Sequence, residues 1–440
     1  GIGSVFTNTG IDPIVGLFLD CVYQGRAGMS IGDLVDLERV AVLRGPQGTL
    51  CGKNTAAGAI SVITKLPTTD FESLLEFNYD TNELGELRGM VNVPFGNSPH
   101  AMRLSGWYAD GDHLYDNTVT GDGVNDVNKW GGRARVLFDL EGQTANEGLG
   151  QFILTVDYSK EDTDCCALAV MDYNGLSTLN SPATNSPSDE LQELLGLNAL
   201  GQPILQYFSF EDSEGFSPPK ADPFGDDYWF DGSVYNEVEV GGVALEWNKE
   251  LANAHEITFL NAWRYYSSDS AYDGDFTAYS AVQGTTDVEL DQFSSELRIQ
   301  SPGAQTFDYQ GGLYFYYSNL DSVGTFRQVE ALVDNIRVAP NLSLGRFFPD
   351  GSLNIDDNEY TTTSYAAFGQ VVWNITEAFS ATLGLRYTYE KKEREGSQIT
   401  EPETVIDIPP VAGPDIFYDE DRSDSDVSPS LNLRYFFTPD

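Results

Sequence analysis

The chain has 440 residues and a formal net charge of -44, from 24 Lys and Arg against 68 Asp and Glu. This acidity excludes a nucleic-acid-binding protein, because binding to phosphates needs a basic surface. No run of about 18 apolar residues occurs, so the sequence predicts no transmembrane helix. It is still compatible with a membrane β-barrel, which hides its lipid contact in an alternation of apolar and polar residues.

The charge is unevenly divided along the chain. Residues 1–67 hold five basic and five acidic side chains and are neutral, whereas all of the net acidity lies downstream. The composition changes near Pro67, from neutral and Gly-rich to acidic and aromatic. We therefore predict a small domain over residues 1–67 and a second domain over residues 68–440.

The most informative motif lies in the first domain. An alternating strand from Leu37 enters an Arg-Gly-Pro-Gln-Gly turn at Arg44, and a second strand follows from Ala59 to Lys65. This order resembles the plug domain of TonB-dependent outer-membrane transporters. The residues to which we assign structural or gating roles by this resemblance are Arg39, Arg44, Gly45, Pro46, Gly48, Gly52, Asn54, Gly58 and Lys65.

The resemblance implies an α+β plug inside an antiparallel transmembrane barrel of about twenty-two strands. In the family, the TonB-ExbB-ExbD energy complex of the inner membrane pulls on an N-terminal segment to open the lumen. The sequence starts at Gly1 without that segment or a signal peptide and offers about twelve strands, so we expect an internal piece of a longer polypeptide. By the same resemblance, Arg44 would pair with a lumen-facing carboxylate such as Glu296 or Glu390.

The second domain is predicted to contain about twelve strands of the barrel. Each segment alternates apolar with polar or small residues, as expected of strands tilted across a bilayer. The strands fall at about residues 71–79, 84–93, 101–109, 130–140, 150–159, 235–248, 255–267, 288–300, 308–320, 361–374, 378–390 and 427–437. A soluble sandwich with one wet face is the alternative source of such alternation.

The two faces of these segments can be assigned from their period of two. In the segment from Phe379, Leu383 and Leu385 share one face and Arg386 and Glu390 the other. The segments that begin at Trp130, Phe293 and Val427 alternate in the same way. In the segment from His255 to Tyr266 the two faces are less clearly separated. A charge at mid-membrane costs about 2–4 kcal/mol, so the polar face must contact water or the plug.

The connections are predicted to alternate between tight turns and long loops. Tight turns follow residues 95, 140, 248, 300 and 374, and the long pieces lie at 110–128, 160–234, 269–287, 321–360 and 391–426. Bacterial outer-membrane barrels have short turns on the periplasmic side and long loops outside. The sequence therefore predicts extracellular long loops, in contact with lipopolysaccharide, and a plug toward the periplasm.

The loop over residues 160–234 carries fourteen acidic and two basic side chains. We interpret it as a solvated acidic exterior in preference to a dedicated cation site. Its aromatic and acidic run is a candidate ligand-contacting loop for a sugar ring or a cationic ligand, and packing of the loop itself is the alternative. The candidate residues are Phe224, Asp226, Asp227, Tyr228 and Trp229.

The chain has four cysteines, which in an envelope protein are exposed to an oxidising compartment. Cys165 and Cys166 are adjacent in a predicted outer loop, which suits a vicinal disulfide, and binding of a soft metal is the alternative. Cys21 and Cys51 replace residues usual in the plug family, and a Cys21–Cys51 bridge would suit their joint appearance. Sequence alone does not establish the connectivity.

The sequence predicts no enzyme, no cofactor and no metal site, because the three His are scattered and no catalytic motif occurs. The resemblance implies TonB-dependent import of a scarce or bulky nutrient, such as a siderophore, cobalamin or oligosaccharide, across a Gram-negative outer membrane. A plugged barrel that acts as a surface receptor, adhesin or structural subunit without transport is the alternative. The negative field favours a neutral or cationic small-molecule or glycan substrate.

Overall fold

The computed structural model describes residues 10, 12–30, 35–45, 53–81, 83–141, 148–165, 227–228, 230–274, 282–328, 337–339, 342–343, 352–401 and 415–437. Within these residues there are twenty-one strands and one 3-10 helix, Ala27–Ser30. The strands are β1 (Val15–Leu19), β2 (Val22–Tyr23), β3 (Leu37–Arg44), β4 (Gly58–Thr64), β5 (Glu72–Tyr79), β6 (Gly85–Pro94), β7 (Ala101–Gly111), β8 (Tyr115–Asn117), β9 (Gly123–Val124), β10 (Val127–Leu140), β11 (Gly150–Thr163), β12 (Asp227–Tyr228), β13 (Tyr235–Glu250), β14 (Glu256–Asp273), β15 (Val282–Gln300), β16 (Phe307–Gln328), β17 (Arg337–Ala339), β18 (Leu342–Ser343), β19 (Ser352–Asn374), β20 (Phe379–Glu401) and β21 (Ile416–Tyr435).

Twelve of these strands form one antiparallel sheet, which we call the wall. Its order is β5-β6-β7-β10-β11-β13-β14-β15-β16-β19-β20-β21, so each strand pairs with the next one along the chain. The predicted fold class is confirmed, and each of the twelve predicted strands is present. Four of the five predicted tight turns are also confirmed, since short connections join β6 to β7, β13 to β14, β15 to β16 and β19 to β20. Most of the fifth, between β10 and β11, lies outside the described residues.

Several strands of the wall are longer than predicted. β20 was expected to end at residue 390 but continues to Glu401, and β16 was expected to end at residue 320 but continues to Gln328. Much of the loops predicted at 269–287 and 391–426 is therefore paired strand. The prediction was wrong there because alternation reports contact with lipid, whereas the backbone ladder continues beyond the lipid, as where Glu359 faces Glu395.

The wall has an apolar outer face and a polar inner face, as the alternation predicted. On β20, Leu383 and Leu385 are 60% and 54% exposed on the outer face, whereas Arg386 on the inner face is 4% exposed. The unclear segment after His255 has a simple explanation. Its inward residues include apolar Leu260 and Ala262, which are buried against a residue of the small sheet described below.

Two rows of aromatic side chains border the apolar outer face. Phe307 stacks on Trp373 near the tight turns, and Phe315 packs on Tyr365 nearer the loops. Along β20, the band extends from Phe379 to Tyr389. About ten residues at roughly 3.3 Å each span about 33 Å, and a tilt of about 40° reduces this to about 25 Å, the height of a membrane barrel's apolar band.

Residues 10–65 contain a separate four-stranded sheet, which we call the plug sheet. Its order is β2-β1-β4-β3, with β1 parallel to β4 and the other pairs antiparallel. β3 and β4 are the two strands of the sequence motif. Helical structure in its described residues is limited to the 3-10 helix, whereas the sequence predicted an α+β unit.

A strand-free segment, residues 65–71, connects the plug sheet to the wall. The domain boundary predicted at residues 67 and 68 falls in this segment. Among the residues that the structure describes, no helix has the length and apolar character to cross a membrane.

Candidate functional site

The plug sheet contacts the inner face of the wall. Gln292 of β15 is 1% exposed, and its side-chain amide donates to the Tyr23 carbonyl at 2.6 Å. The Gly25 N–H donates to the Gln292 amide oxygen at 3.0 Å. Tyr23 also packs edge-on against Tyr316 of β16, with ring centroids 5.7 Å apart. The β1–β2 hairpin and its following turn are therefore the part of the plug sheet that docks here.

Apolar contacts accompany these hydrogen bonds in three clusters. The plug residues Phe18, Tyr23 and Ala59 pack with Tyr314, Tyr316, Ala366 and Phe368; Met29 packs with Val240, Val288, Leu290 and Leu320; and Val22 packs with Leu260 and Ala262. The wall positions are inward residues of neighbouring strands. The inner face of the wall is thus apolar at these positions, where the plug sheet covers it.

Arg103 of β7 makes a buried ion pair with the plug sheet. Its guanidinium donates to both carboxylate oxygens of Asp36, at 2.6 and 2.7 Å. The side chains of Arg103 and Asp36 are 2% and 7% exposed. Glu72 accepts a third bond at 2.9 Å, but it is 44% exposed. The planar fork of arginine matches a carboxylate in this way, and such charge-assisted pairs are the strong ones.

Arg135 of β10 holds the end of β4. It donates to the Thr64 carbonyl at 2.9 Å and to the Thr64 hydroxyl at 2.8 Å. Asp20, at the β1–β2 turn, accepts from the Thr64 N–H at 2.8 Å and lies 3.6 Å from Arg135. Arg135 is 5% exposed, so its charge is compensated mainly by these plug atoms.

A third contact is a network of four charges. Lys53 of the plug sheet pairs with Glu390 of β20, and Lys392 of β20 pairs with Asp12 of the plug sheet. The Lys53 ammonium also lies 4.8 Å from the centre of the Tyr316 ring. Burial acts to raise the pKa of Asp12, but Lys53 and Lys392 outweigh it and hold that pKa below its ordinary 3.8. Asp12 is therefore ionised at neutral pH and links both lysines.

β14 contributes an arginine whose ion pair stays within the wall. Arg264 of β14 pairs with Asp157 of β11 at 2.5 Å, across β13. Between them lies Gly242, where an added Cβ would come within 2.7 Å of the Arg264 side chain. Glycine therefore makes room for the guanidinium, which is 4% exposed and lies beside the docked hairpin.

The motif residues that the structure describes have mainly structural surroundings. Gly45 has a φ of +82°, which glycine adopts freely, at the end of β3. A Cβ on Gly58 would come within 2.6 Å of the Leu43 carbonyl oxygen. The Asn54 amide donates to the Tyr23 hydroxyl at 2.7 Å, and the Lys65 N–H donates to the Asp36 carbonyl at 3.1 Å.

The two motif arginines are exposed. Arg39 pairs with Glu38 at 3.3 Å on the surface of β3. Of the two carboxylates expected to pair with Arg44, Glu390 has Lys53 and Lys392 as cationic neighbours and Glu296 has Arg298 at 3.6 Å. Pro46, Gly48 and Gly52 lie outside the described residues, and their assigned roles stay predictions.

The described part of the candidate ligand loop packs against other loop residues. Asp227 and Tyr228 form β12, which pairs in parallel with β8. The Tyr228 ring lies 4.8 Å from the Tyr115 ring and borders a cluster of Val124, Phe230 and Val234. Tyr228 thus has the packing role that was the alternative. Phe224, Asp226 and Trp229 lie outside the described residues, so ligand contact by this loop stays a prediction.

The structure describes two of the four cysteines, and they differ in bonding state. Cys21 is a free thiol, so the Cys21–Cys51 bridge is wrong. The reason is positional: Cys21 occupies a left-handed turn, with a φ of +67°, at the wall side of the plug sheet near Glu246 and Arg298. Its side chain is exposed to the lumen, yet the surrounding protein desolvates it and raises its pKa to about 11. Cys165 is disulfide-bonded, while Cys51 and Cys166 lie outside the described residues.

A cavity of about 240 Å³ lies between the 3-10 helix of the plug sheet and the wall. It is lined by residues that include Gly28, Trp107, Glu161, Asn236 and Tyr266. These wall residues lie toward the loop ends of their strands. In the described part of the chain, no group of three or more His, Cys, Asp or Glu side chains is arranged to hold a metal ion.

Sequence reasoning missed the docking residues Asp20, Asp36 and Arg103. The segment from Trp130 has Arg133 and Arg135 on its polar face, which its alternation predicts to meet water or the plug. The same alternation could have found Asp20, Asp36 and Arg103. An arginine on the inward side of a membrane strand needs a partner, and the plug supplies carboxylates.

The chain is similar in fold to solved uptake and import receptors. These include the ferric yersiniabactin uptake receptor FyuA from Yersinia pestis (16% identity, TM-score 0.71, covering 98% of this chain and 54% of that one). They also include the ferric-catecholate import receptor Fiu from E. coli K12 (16%, 0.62, 96% and 60%) and the siderophore receptor PiuA from Acinetobacter baumannii (13%, 0.63, 98% and 57%). The chain spans between about half and three fifths of the length of these receptors. At such identities, the likeness shows the fold alone.

A family model described as TonB dependent receptor-like, beta-barrel matches residues 187–440. The match covers more than half of the chain and most of the wall strands. The chain therefore belongs to the TonB-dependent receptor-like β-barrel family.

Proposed function

We propose that this protein imports a scarce or bulky nutrient across the bacterial outer membrane with energy supplied through TonB. Residues 1–67 act as the plug in this proposal, and residues 68–440 as barrel wall. The observation that carries it is the docking of the plug sheet on the inner face by buried ion pairs, as at Arg103 and Asp36. A plug held in this way blocks passive diffusion, so passage requires work from elsewhere.

The chemistry of the contact suits a plug that moves. Much of the docking depends on hydrogen-bonded charges, and breaking such a pair on one side leaves a buried charge, at a cost of about 3–5 kcal/mol. That cost is too large for frequent thermal opening, but several such contacts can be released together when a force is applied. The force would come from the TonB-ExbB-ExbD complex acting on a segment that we do not assign in these residues.

The proposed orientation follows from the connections. The tight turns face the periplasm and the long loops face outward, as in other outer-membrane barrels. The 3-10 helix Ala27–Ser30 then forms the outward tip of the plug, and the cavity beside Trp107 and Tyr266 opens toward incoming substrate. Membrane lipid and lipopolysaccharide surround the outer face.

For the substrate, we propose a metal chelate of neutral or positive net charge. The relatives above are described as receptors for ferric yersiniabactin, ferric catecholates and siderophores. The net charge of -44 would repel an anion from the loops. Cobalamin and oligosaccharides are further candidates within the same mechanism.

Uptake by whole cells tests the proposal. Cells that produce the full-length protein should bind radiolabelled ferric chelates with or without a protonophore, but accumulate label only when the proton-motive force is intact. Deletion of tonB should have the same effect as the protonophore. Binding with no accumulation under any condition would contradict import and support the surface-receptor alternative, and accumulation that survives the protonophore would indicate passive passage.

A further inference from the structure

The cavity between the 3-10 helix and the wall has a floor of smaller residues between two aromatic rings. One register row of the inner face carries, as consecutive cross-strand partners, Trp107, Gly131, Ser159, Val240 and Tyr266. Every member of this row except Gly131 lines the cavity. The residues between the two rings are smaller than the rings, so a space of about 240 Å³ is left above them.

The indole of Trp107 leans across the neighbouring strand, β10. A Cβ added to Gly131 would come within 2.3 Å of Trp107 Cζ2 and within 2.8 Å of Trp107 Cε2. Gly131 has no positive φ, so its backbone conformation does not require glycine, and the space that the indole occupies does. One side of the indole therefore lies on the β10 backbone, and the ring borders the cavity.

Tyr266 closes the cavity on the side of the plug sheet. A Cβ added to Gly28 would come within 3.0 Å of both Cε2 and the hydroxyl oxygen of Tyr266, so this ring lies against the 3-10 helix. The helix is held in place by Met29, which packs with Val240 and Leu290 of the wall. A molecule in the cavity therefore contacts the plug sheet and the wall together.

The polar groups of the cavity are balanced in charge and include free hydrogen-bonding groups. Lys129 and Glu161 are cross-strand partners of opposite charge, and both line the cavity. Ser159 adds a hydroxyl and Asn236 an amide. Within the part of the chain that the structure describes, no hydrogen bond or ion pair engages the side chains of Ser159, Glu161 or Asn236. A carboxylate only accepts, so a ligand that fits here has to donate.

We propose that this cavity binds one pyranose ring of the imported molecule, stacked on the indole of Trp107 and hydrogen-bonded to Glu161 and Asn236. A sugar ring is uncharged, has a C–H face that packs on an aromatic ring, and carries hydroxyls that both donate and accept. A catecholate ring bound to ferric iron offers only acceptor oxygens and negative charge, so it would leave the Glu161 carboxylate without a donor.

The volume of the cavity sets how much of a substrate it takes. Pockets for drug-sized ligands have roughly 300–1,000 Å³, so about 240 Å³ accepts one ring and not a whole chelate. The inference rests on the proposed function, because the cavity opens toward incoming substrate in the orientation given above. Either an oligosaccharide or a glycosylated metal chelate supplies such a ring.

Saturation-transfer NMR on the full-length protein tests this inference, in a detergent without a sugar headgroup such as lauryldimethylamine oxide. The probes are the methyl glycosides of glucose, galactose, mannose and N-acetylglucosamine, with catechol as an aromatic ring for comparison. Trp107→Leu removes the stacking face, and Ser159→Leu fills the cavity from its floor. The matched control is Trp130→Leu, which removes an indole that is 45% exposed on the outer face. Heat-modifiable migration on gels checks that each barrel is folded.

We expect at least one glycoside to bind to the wild type and to Trp130→Leu, and catechol not to bind. Loss of the stacking contact in Trp107→Leu should raise the Kd about tenfold, and Ser159→Leu should abolish binding. The inference would be overturned if no glycoside bound to the wild type, if catechol bound in preference to the glycosides, or if Trp130→Leu lost as much affinity as Trp107→Leu.

Uptake by whole cells separates this inference from the proposed function. A trisaccharide of the bound sugar and a ferric chelate that carries this sugar are supplied to cells that produce the full-length protein, and energy-dependent uptake of either supports the inference and identifies the source of the ring. Uptake of chelates without sugar, together with no glycoside binding, would overturn the inference and leave import standing. Glycoside binding without uptake of any substrate would overturn import and support the assignment of the cavity.

Discussion

Removal of the Arg103 guanidinium tests whether buried charges hold the plug sheet. In Arg103→Met, the side chain keeps apolar length on β7 but leaves the Asp36 carboxylate, 7% exposed, without its bidentate partner. Asp36 has a φ of +57°, which Asn tolerates, so Asp36→Asn is the matching change on the plug side.

The magnitude follows from the burial of the pair. Breaking a buried ion pair by removing one partner costs about 3–5 kcal/mol. The contact with Glu72 adds at most about 1 kcal/mol, because that carboxylate is 44% exposed and screened by water. The double variant Arg103→Met with Asp36→Asn removes both charges, so it should recover most of this loss.

Hydrogen exchange read by mass spectrometry measures the effect while the barrel stays folded. Peptides from residues 12–30 and 35–45 should exchange roughly 200- to 5,000-fold faster in Arg103→Met. The control is Arg88→Ala on β6, whose pair with Glu86 at 3.4 Å is partly exposed and lies within the wall. A change below about tenfold in Arg103→Met, or a double variant no better than the single ones, would refute the reasoning.

Three further predictions concern pH, thiol chemistry and lipid. Because the pKa of Asp12 is lowered, the contribution of this carboxylate to docking is complete above its ordinary pKa of 3.8 and is lost as pH falls through the lowered value. The conductance of the full-length protein in planar bilayers should therefore stay low from pH 7 to 5 and rise only below about pH 4. Asp12→Asn should remove this pH-dependent rise. With a pKa of about 11, against an ordinary 9.0, Cys21 should react with maleimide at pH 7.5 about 100-fold more slowly than in urea, and equal rates would contradict the position we describe. Leu383→Arg, in the middle of the apolar band, should cost about 2–4 kcal/mol of folding free energy in lipid vesicles, whereas Ser397→Arg on the same face of β20 beyond Tyr389 should cost less than about 1 kcal/mol.

The sequence predicted the wall well because lipid imposes a strict local pattern. Along β20, each outward residue from Leu383 to Tyr389 is apolar or aromatic and Arg386 faces inward, so period two alone gives the strand and its faces. Beyond Tyr389 the outer face contacts water and carries Lys391 and Glu393. The pattern then disappears although the strand continues to Glu401.

The docking contacts could not be read from local pattern, because they join residues far apart in sequence. The ion pair of Lys392 and Asp12 spans 380 positions, and that of Arg103 and Asp36 spans 67. The free Cys21 illustrates the same limit. Its identity indicated a bridge to Cys51, but the turn that contains it lies toward the wall, which only the three-dimensional arrangement reveals.

The two faces of the wall differ in the charged side chains that they carry. Arg103, Arg133, Arg135, Arg264 and Arg386 face inward and are at most 9% exposed. The outer face beyond the aromatic row carries acids at one register level, where Glu289, Asp321, Glu359 and Glu395 are consecutive partners. Like charges placed opposite each other are destabilising, so this level depends on water and counterions. Of the inward cations, Arg103 and Arg135 have carboxylates of the plug sheet beside them, and Arg264 has a carboxylate of the wall.

The different surroundings of the two sets predict a different response to salt. Exposed charges further apart than about 8–10 Å are screened at physiological ionic strength, whereas buried pairs are screened much less. Raising salt from about 0.05 to 0.5 M should therefore weaken the binding of a cationic chelate to the loops while exchange of the plug peptides stays constant. If exchange instead rises in parallel with the loss of binding, the pairs at Arg103 and Arg135 are open to solvent, and docking by buried charge is wrong.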